Sequence, residues 1–291
     1  MAGCSVGHTA AMAKTLRDEL AVPSGKVDLA SYDSRAKTGF DGSENDAPAR
    51  MKATGEKLDD LQERLFAGGR NETDNRSVLL VLQGMDTSGK GGIVEHAVGL
   101  VNPQGVSITS FKKPTKEELA HDFLWRIGKA LPAPGMIGIF DRSHYEDVLI
   151  GRVHKLVGDK EIERRYGTIN DFETAYVEGG GTMIKCFLHI TADDQKDRLA
   201  ARLDDPAKYW KYNPGDLDER ALWDDYQQAY AMVLERCSNE HAPWFLVPSG
   251  RKWYRNWAVA QLLLEHLESL QLEWPKASFD VGAEKKRLSL M

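Results

Sequence analysis

The sequence predicts an α/β fold, a parallel sheet with helices on both faces, and three observations point to it. Short apolar segments alternate along the chain with amphipathic ones. The apolar segments are continuous rather than alternating, as strands buried on both faces are. The strongest of them, Val78–Leu82, runs into Gly84-x-x-x-x-Gly89-Lys90, after which Ile93–Val101 resumes an apolar pattern at helical spacing. Strand, glycine-rich loop and helix in that order are the setting of a phosphate-binding loop.

The remaining elements follow in chain order. Residues 1–50 are rich in Gly, Ala, Ser, Asp and Lys with little periodicity, which predicts a partly flexible N-terminal arm with one short helix near Met12–Leu20. Met51–Phe66 is amphipathic, and Gly68-Gly69 is expected to end it. Gly105–Phe111 alternates as a strand, with Lys112 and Lys113 directly after its end. Thr115-x-x-Glu118 has the form of a capping box, opening a helix with Leu119, Phe123, Ile127 and Leu131 on its apolar face. Met136–Phe140 is a short buried strand that ends on Asp141-Arg142-Ser143, followed by a helical stretch over Tyr145–Val157. Met183–Ile190 and Trp244–Val247 are the last strands, and Trp253–Leu270 is a long amphipathic closing helix. The expected domain therefore spans 51–275, with a charged insertion at about 193–235 and a tail at 276–291.

Bulk composition excludes several classes. The chain has 291 residues, 42% of them hydrophobic, enough for a large α/β core. No apolar run approaches the ~20 residues needed to span a bilayer. The opening residues lack a basic start and an apolar core, so no signal peptide is expected. Cys4, Cys186 and Cys237 have no metal-ligand spacing and fit a reducing cytoplasm. A formal charge of −6 disfavours a non-specific nucleic-acid binder, so a polyanionic partner needs a local basic patch.

In the loop, Gly84, Thr87, Ser88, Gly89 and Gly91 supply backbone donors and small side chains to phosphate oxygens, and Lys90 adds a positive charge. A plainer reading is a glycine turn between a strand and a helix. The loop is unusual in two places: Gly91 stands where a Ser or Thr hydroxyl normally meets the metal, and Asp86 adds a carboxylate inside the loop. A hard cation wants oxygen ligands, so Asp86 and Asp141 are the candidate metal ligands. Asp141 also has the ordinary alternative of capping a helix. Arg142 is its neighbour.

The charged stretch Asp193–Tyr230 places Arg198 and Arg202 four apart on one helical face, followed by Lys208 and Lys211. It reads as a mobile lid with Arg202 reaching the transferred group, or as a solvated hairpin whose arginines pair with Asp204, Asp205 or Asp218. No serine, cysteine or histidine is arranged as a nucleophile–base pair, and phosphoryl transfer to an already anionic oxygen needs none. The basic residues after strand ends exceed what one nucleotide requires and suggest a track for a long phosphate polymer.

The stretches GMDTSGKGG, SFKKPTKEELAHDFLWRI, FDRSHYEDVLIGRV, RLDDPAKYWKYNPGDL and APWFLVPSGRKWYRNW, running from roughly Val78 to Trp257, resemble the polyphosphate kinase 2 family. The resemblance implies a thymidylate-kinase-like P-loop core with a helical lid. It implies reversible transfer between inorganic polyphosphate and a nucleotide, and a homodimer or homotetramer. The implied cofactor is Mg²⁺, with Mn²⁺ as a substitute. It assigns Asp86, Lys90, Asp141, Arg142 and Arg202 to catalysis and Lys112 to the polyphosphate track. The surrounding motifs look like the subgroup that phosphorylates both nucleoside mono- and diphosphates. Asp141 is more typical of members acting on diphosphates, so ADP is the expected acceptor, with AMP and guanine nucleotides as further ones. An ATP-dependent nucleoside or nucleotide kinase would share the fold but usually keeps the hydroxyl after the loop lysine. A nucleotide-binding switch or scaffold is the non-enzyme alternative, and no base-recognition motif of the form N-K-x-D is present.

Overall fold

The computed structural model describes residues 14–291; residues 1–13, with Cys4 and the start of the expected Met12–Leu20 helix, lie outside it. The elements run α1 (Leu16–Leu20), α2 (Ala47–Arg70), β1 (Ser77–Gln83), α3 (Lys90–His96), β2 (Val106–Ser110), α4 (Trp125–Ala130), β3 (Ile137–Asp141), α5 (Glu146–Val153) and α6 (Asp159–Glu178). They continue with β4 (Gly181–His189), α7 (Ala192–Leu203), α8 (Gly215–Ala221), α9 (Trp223–Arg236), β5 (Trp244–Pro248), α10 (Lys252–Ser269) and α11 (Val281–Leu288). The five strands form one parallel sheet in the order β2-β3-β1-β4-β5.

Strand β1 is central and buried along its whole length. Successive side chains point to opposite faces. Val78, Leu80 and Leu82 therefore enter the cluster under α2, α3 and α10, and Leu79 and Val81 the cluster under α4, α5, α6 and α9. This is the three-layer arrangement that the continuous apolar strands predict. Among the described residues no helix is long and apolar enough to cross a membrane.

Several elements differ from expectation. Helix α2 runs through Gly68-Gly69 instead of stopping there. A Cβ at Gly69 would lie 2.5 Å from the Pro134 carbonyl oxygen, so the glycine allows the β3 lead-in to pass against the helix. The Thr115 box forms, with the Glu118 amide donating to Thr115 Oγ1 at 3.2 Å and the Thr115 amide donating to Glu118 Oε2 at 2.6 Å. It opens only a single 3₁₀ turn, because Asp122 accepts from the Leu124 amide and starts a new turn ahead of α4. Leu119 is consequently 69% exposed. The stretch after Asp141 breaks at Val153, and α6 follows with a buried stripe of Ile162, Tyr166, Ile169 and Glu173.

The segment expected to be a partly flexible arm is part of the core over residues 14–50. Leu16, Leu20, Val22, Val27, Leu29 and Phe40 are buried. Ser34 Oγ donates to Asp194 at 2.8 Å, and the Arg35 guanidinium bonds the same carboxylate at 2.7 Å. The segment is a strap running from the β5 edge, where Ala21 bridges Phe245, to the base of α7. The insertion at 193–235 also divides. Helix α9 buries Tyr226, Ala229, Tyr230, Val233 and Leu234, so only the apex around Leu203–Leu217 stands clear of the core. The tail carries the exposed helix α11.

Candidate active site

The site lies at the carboxyl ends of β1 and β3, where a parallel sheet gathers its ligands. After Gln83 the chain turns through Gly84 (φ 149°), Thr87 (φ 68°) and Gly89 (φ 111°) before α3 begins at Lys90. The Lys90 Nζ donates to the Gly84 carbonyl at 2.8 Å and is almost buried. Thr87 Oγ1 and Ser88 Oγ are buried with no hydrogen-bond partner among the described residues, an arrangement that suits incoming phosphate oxygens. Gly89 is required twice over, by its left-handed backbone and because a Cβ there would lie 1.7 Å from Arg255 Nη1. Gly91 is different: a Cβ meets nothing within 4 Å, so packing does not explain the missing hydroxyl.

Two arginines hold the loop from behind. Arg198 donates to the carbonyls of Thr87 (2.9 Å), Ser88 (3.2 Å), Ser249 (2.5 Å) and Gly250 (3.2 Å). Arg255, 4% exposed, donates to the Ser88 carbonyl at 3.1 Å. Burial and the nearby Arg198 push the Arg255 guanidinium down to about 10. Arg198 thus shapes the loop through backbone carbonyls as well as lining the cavity beside it.

The sheet register sets Asp141 of β3 opposite Leu82 of β1, two residues before the loop. The Arg142 amide donates to the Leu82 carbonyl at 3.1 Å, with Arg142 itself in a left-handed conformation (φ 65°). Its guanidinium bonds Asp86 Oδ1 at 3.0 Å. Burial raises the Asp86 carboxyl, but Lys90 and Arg142 outweigh it and hold the group below its ordinary range. Burial pushes Glu146, one turn further on, upward against the pull of Arg142 and Lys90. Among the described residues no group of three or more His, Cys, Asp or Glu is placed to hold a metal. Asp86, three residues past the end of β1, and Asp141, the last residue of β3, offer two carboxylates, which suits a divalent cation that takes its other ligands from water and substrate phosphates.

Two cavities of about 250 Å³ each flank the loop. One is lined by Arg198, Arg202, Lys208, Lys211, Lys252 and Arg255, and no carboxylate lines it. Burial first, then Arg198, Arg255 and Lys208, lower the Lys252 ammonium. Arg202 and Lys208 have carboxylate partners outside the lining, but Arg198, Lys211, Lys252 and Arg255 make no ion pair among the described residues, and such an excess of like charge is the footprint of a polyanion site. The other cavity is lined by Asp86, Arg142, Glu146, Asp216, Glu219 and Tyr226, among others. The apex of the insertion roofs both, giving Lys208 and Lys211 to the first and Asp216 to the second.

Arg202 bonds the Lys211 carbonyl at 2.8 Å and Asp216 at 3.4 Å, not Asp204, Asp205 or Asp218, while Lys208 pairs with Asp205 at 2.7 Å. Lys112 and Lys113 are exposed after β2, the edge strand beyond β3, and line neither cavity. The Lys112 carbonyl accepts from Arg126 at 2.9 Å. Sequence reasoning passed over Lys252, Arg255, Glu146 and Asp216. A signal existed for the first two, which stand three apart at the start of an amphipathic helix.

A central strand feeding a phosphate loop, a second strand ending in Asp-Arg beside it, and a cationic roof define a P-loop phosphotransferase. The model of the family Polyphosphate kinase 2 (PPK2) matches residues 43–275, and the chain belongs to that family. Among its relatives, an AMP/ADP-polyphosphate phosphotransferase of Meiothermus ruber is 42% identical over 254 residues, covering 87% of this chain and 93% of the relative. An ADP-polyphosphate phosphotransferase of Rhodopseudomonas palustris is 38% identical over 278 residues, covering 91% and 93%. The crystal structure of polyphosphate kinase 2 from Arthrobacter aurescens TC1 superimposes with a TM-score of 0.93 at 53% identity, covering 97% of this chain and 99% of that one.

Proposed function

We propose that this chain catalyses reversible phosphoryl transfer from inorganic polyphosphate to a nucleotide, with ADP the preferred acceptor and AMP a slower one. The observation that carries the reading is the cavity beside the phosphate loop lined by six cationic residues and no carboxylate. A nucleoside triphosphate alone needs fewer charges than the six gathered here. The chain thereby favours polyphosphate over ATP as donor.

In the forward reaction a terminal phosphate oxygen of the acceptor attacks the end phosphorus of polyphosphate. The bond to the bridging oxygen breaks, and the shortened polymer leaves with that electron pair. Both reacting oxygens are anionic, so the barrier is charge repulsion and no general base is required. Lys90 exchanges its bond to the Gly84 carbonyl for the moving group, and Thr87 and Ser88 donate their unpartnered hydroxyls. Arg202 neutralises charge from the lid side, and Arg142 does so between Asp86 and the acceptor. Phosphoryl transfer of this kind uses a divalent cation, which neutralises phosphate charge when bound. Asp86 and Asp141 are the residues that would hold it, as Mg²⁺ or in substitution Mn²⁺. Lys112 and Lys113, exposed after β2 on the far side of β3 from the loop, would meet a longer polymer beyond the cavity that they do not line. The working protein is proposed to be a homodimer or homotetramer.

Asp141 supports the acceptor preference. A negative charge at this strand end would help to hold a divalent cation, and so would favour an acceptor that brings more phosphate charge to it. Asp141→Asn is expected to raise the Mg²⁺ concentration needed for half-maximal rate and, at saturating Mg²⁺, to raise the AMP:ADP rate ratio. Initial rates with each acceptor at saturating polyphosphate check both. Faster use of AMP than ADP by the wild type would overturn the acceptor assignment.

A further inference from the structure

The turn that carries Asp141 and Arg142 rests on a buried polar cluster that takes no part in the transfer itself. Lys185 stands in the middle of β4, the neighbour of β1, where every flanking side chain is apolar. Its Nζ donates to Glu173 Oε2 of α6 at 2.5 Å, to the Tyr145 hydroxyl at 3.0 Å and to the Cys237 carbonyl at 2.6 Å. The Tyr145 hydroxyl donates to Glu173 Oε1 at 2.6 Å, and His144 Nε2 lies 3.0 Å from the same oxygen. All four side chains are fully buried. Burial opposes the Glu173 charge, but Lys185 and His144 more than offset it.

Stability alone does not call for this arrangement, because a buried ion pair exchanged for apolar groups of similar volume often costs nothing. What the charges add is direction. All three Nζ donors are used, so four chain segments have one mutual arrangement: the start of α5, α6, β4 and the residue after α9. His144 and Tyr145 follow Arg142 by two and three residues. Arg142 holds a left-handed conformation, which a non-glycine residue keeps only where its surroundings impose it. Cys237 closes α9, the helix that anchors the lid apex to the core.

We propose that the Lys185–Glu173–Tyr145 cluster is a positioning device for phosphoryl transfer. It fixes the Ser143–Tyr145 backbone, and so the place where Arg142 meets Asp86, and it ties that turn to the base of the lid. The inference rests on the transfer reaction proposed above.

The test is the double variant Lys185→Met/Glu173→Gln, which removes both charges together, beside Tyr145→Phe, which removes one hydroxyl and leaves the ion pair. The double variant is expected to melt within about 4 °C of wild type. Its kcat is expected to fall roughly 10²-fold, as for a misplaced reacting group, with KM for ADP within about twofold. Tyr145→Phe is expected to lose kcat in the same direction by a smaller factor. A folded double variant with wild-type kcat, or a loss matched by the fraction of protein unable to bind ADP, overturns the proposal. Wild-type protein that makes no ATP counts against the reaction instead. The positioning role is then decided by the crystal structure of the double variant, where an unchanged Arg142–Asp86 contact refutes it and a displaced one supports it.

Discussion

Replacing Arg202 by alanine is expected to lower turnover about 10³-fold while leaving ADP affinity within a few-fold, the pattern of a group that acts on charge developing in the transition state. Arg202 closes α7 with its side chain mostly covered, lining the cationic cavity and held by the Lys211 carbonyl and Asp216. Both of those partners belong to the apex that stands clear of the core. The guanidinium can therefore leave them for the transferring group as the apex moves, without repacking α9. Arg202→Lys should recover only part of the loss, since a point charge cannot donate two parallel bonds to one phosphate. Steady-state kinetics paired with calorimetric ADP binding check this. Weakened binding at unchanged turnover would make Arg202 a structural member of a solvated hairpin.

Lys90→Met is expected to remove transfer by about 10³-fold with the fold intact. The two halves of that expectation have separate causes. In the free loop Lys90 makes a single hydrogen bond, to Gly84, and methionine fills nearly the same volume beside β1. The loop's shape comes instead from Gly84 and Gly89 and from Arg198 and Arg255, which hold the Thr87 and Ser88 carbonyls. An unchanged melting temperature with lost turnover is the expected pair of readings. Wild-type turnover in the folded variant would take the phosphate loop out of the mechanism.

The parts of the molecule legible in the sequence are those where a strong local rule and the sheet agree. Apolar strands buried on both faces gave the layers, and strands ending on Gly84 and on Asp141 marked the reactive edge. The adjacency of β1 and β3 then carries Asp86, Lys90 and Arg142 into one place, with Arg142 bonded to Asp86. Residues 14–50 were hidden because their buried side chains, such as Val22, Val27 and Phe40, follow no period; they fill gaps along an irregular strap. Helix α6 was hidden by charge, its Ile162–Tyr166–Ile169–Glu173 stripe being narrow and ending on a buried carboxylate. Arg198 and Arg202 look equivalent on a helical wheel. Both line the cationic cavity, and only tertiary packing separates them, fastening Arg198 to the loop carbonyls and Arg202 to the apex. Arg255 comes to the loop from a helix more than 160 residues away, a contact no local pattern encodes.

The most direct test of the account is to incubate purified protein with Mg²⁺, ADP and polyphosphate and follow ATP, with Lys90→Met as the control. The expected result is ATP in proportion to wild-type protein, dependent on both polyphosphate and the divalent cation, and almost none from the variant. No ATP from polyphosphate, together with phosphorylation of a nucleoside or nucleotide at the expense of ATP, would contradict it.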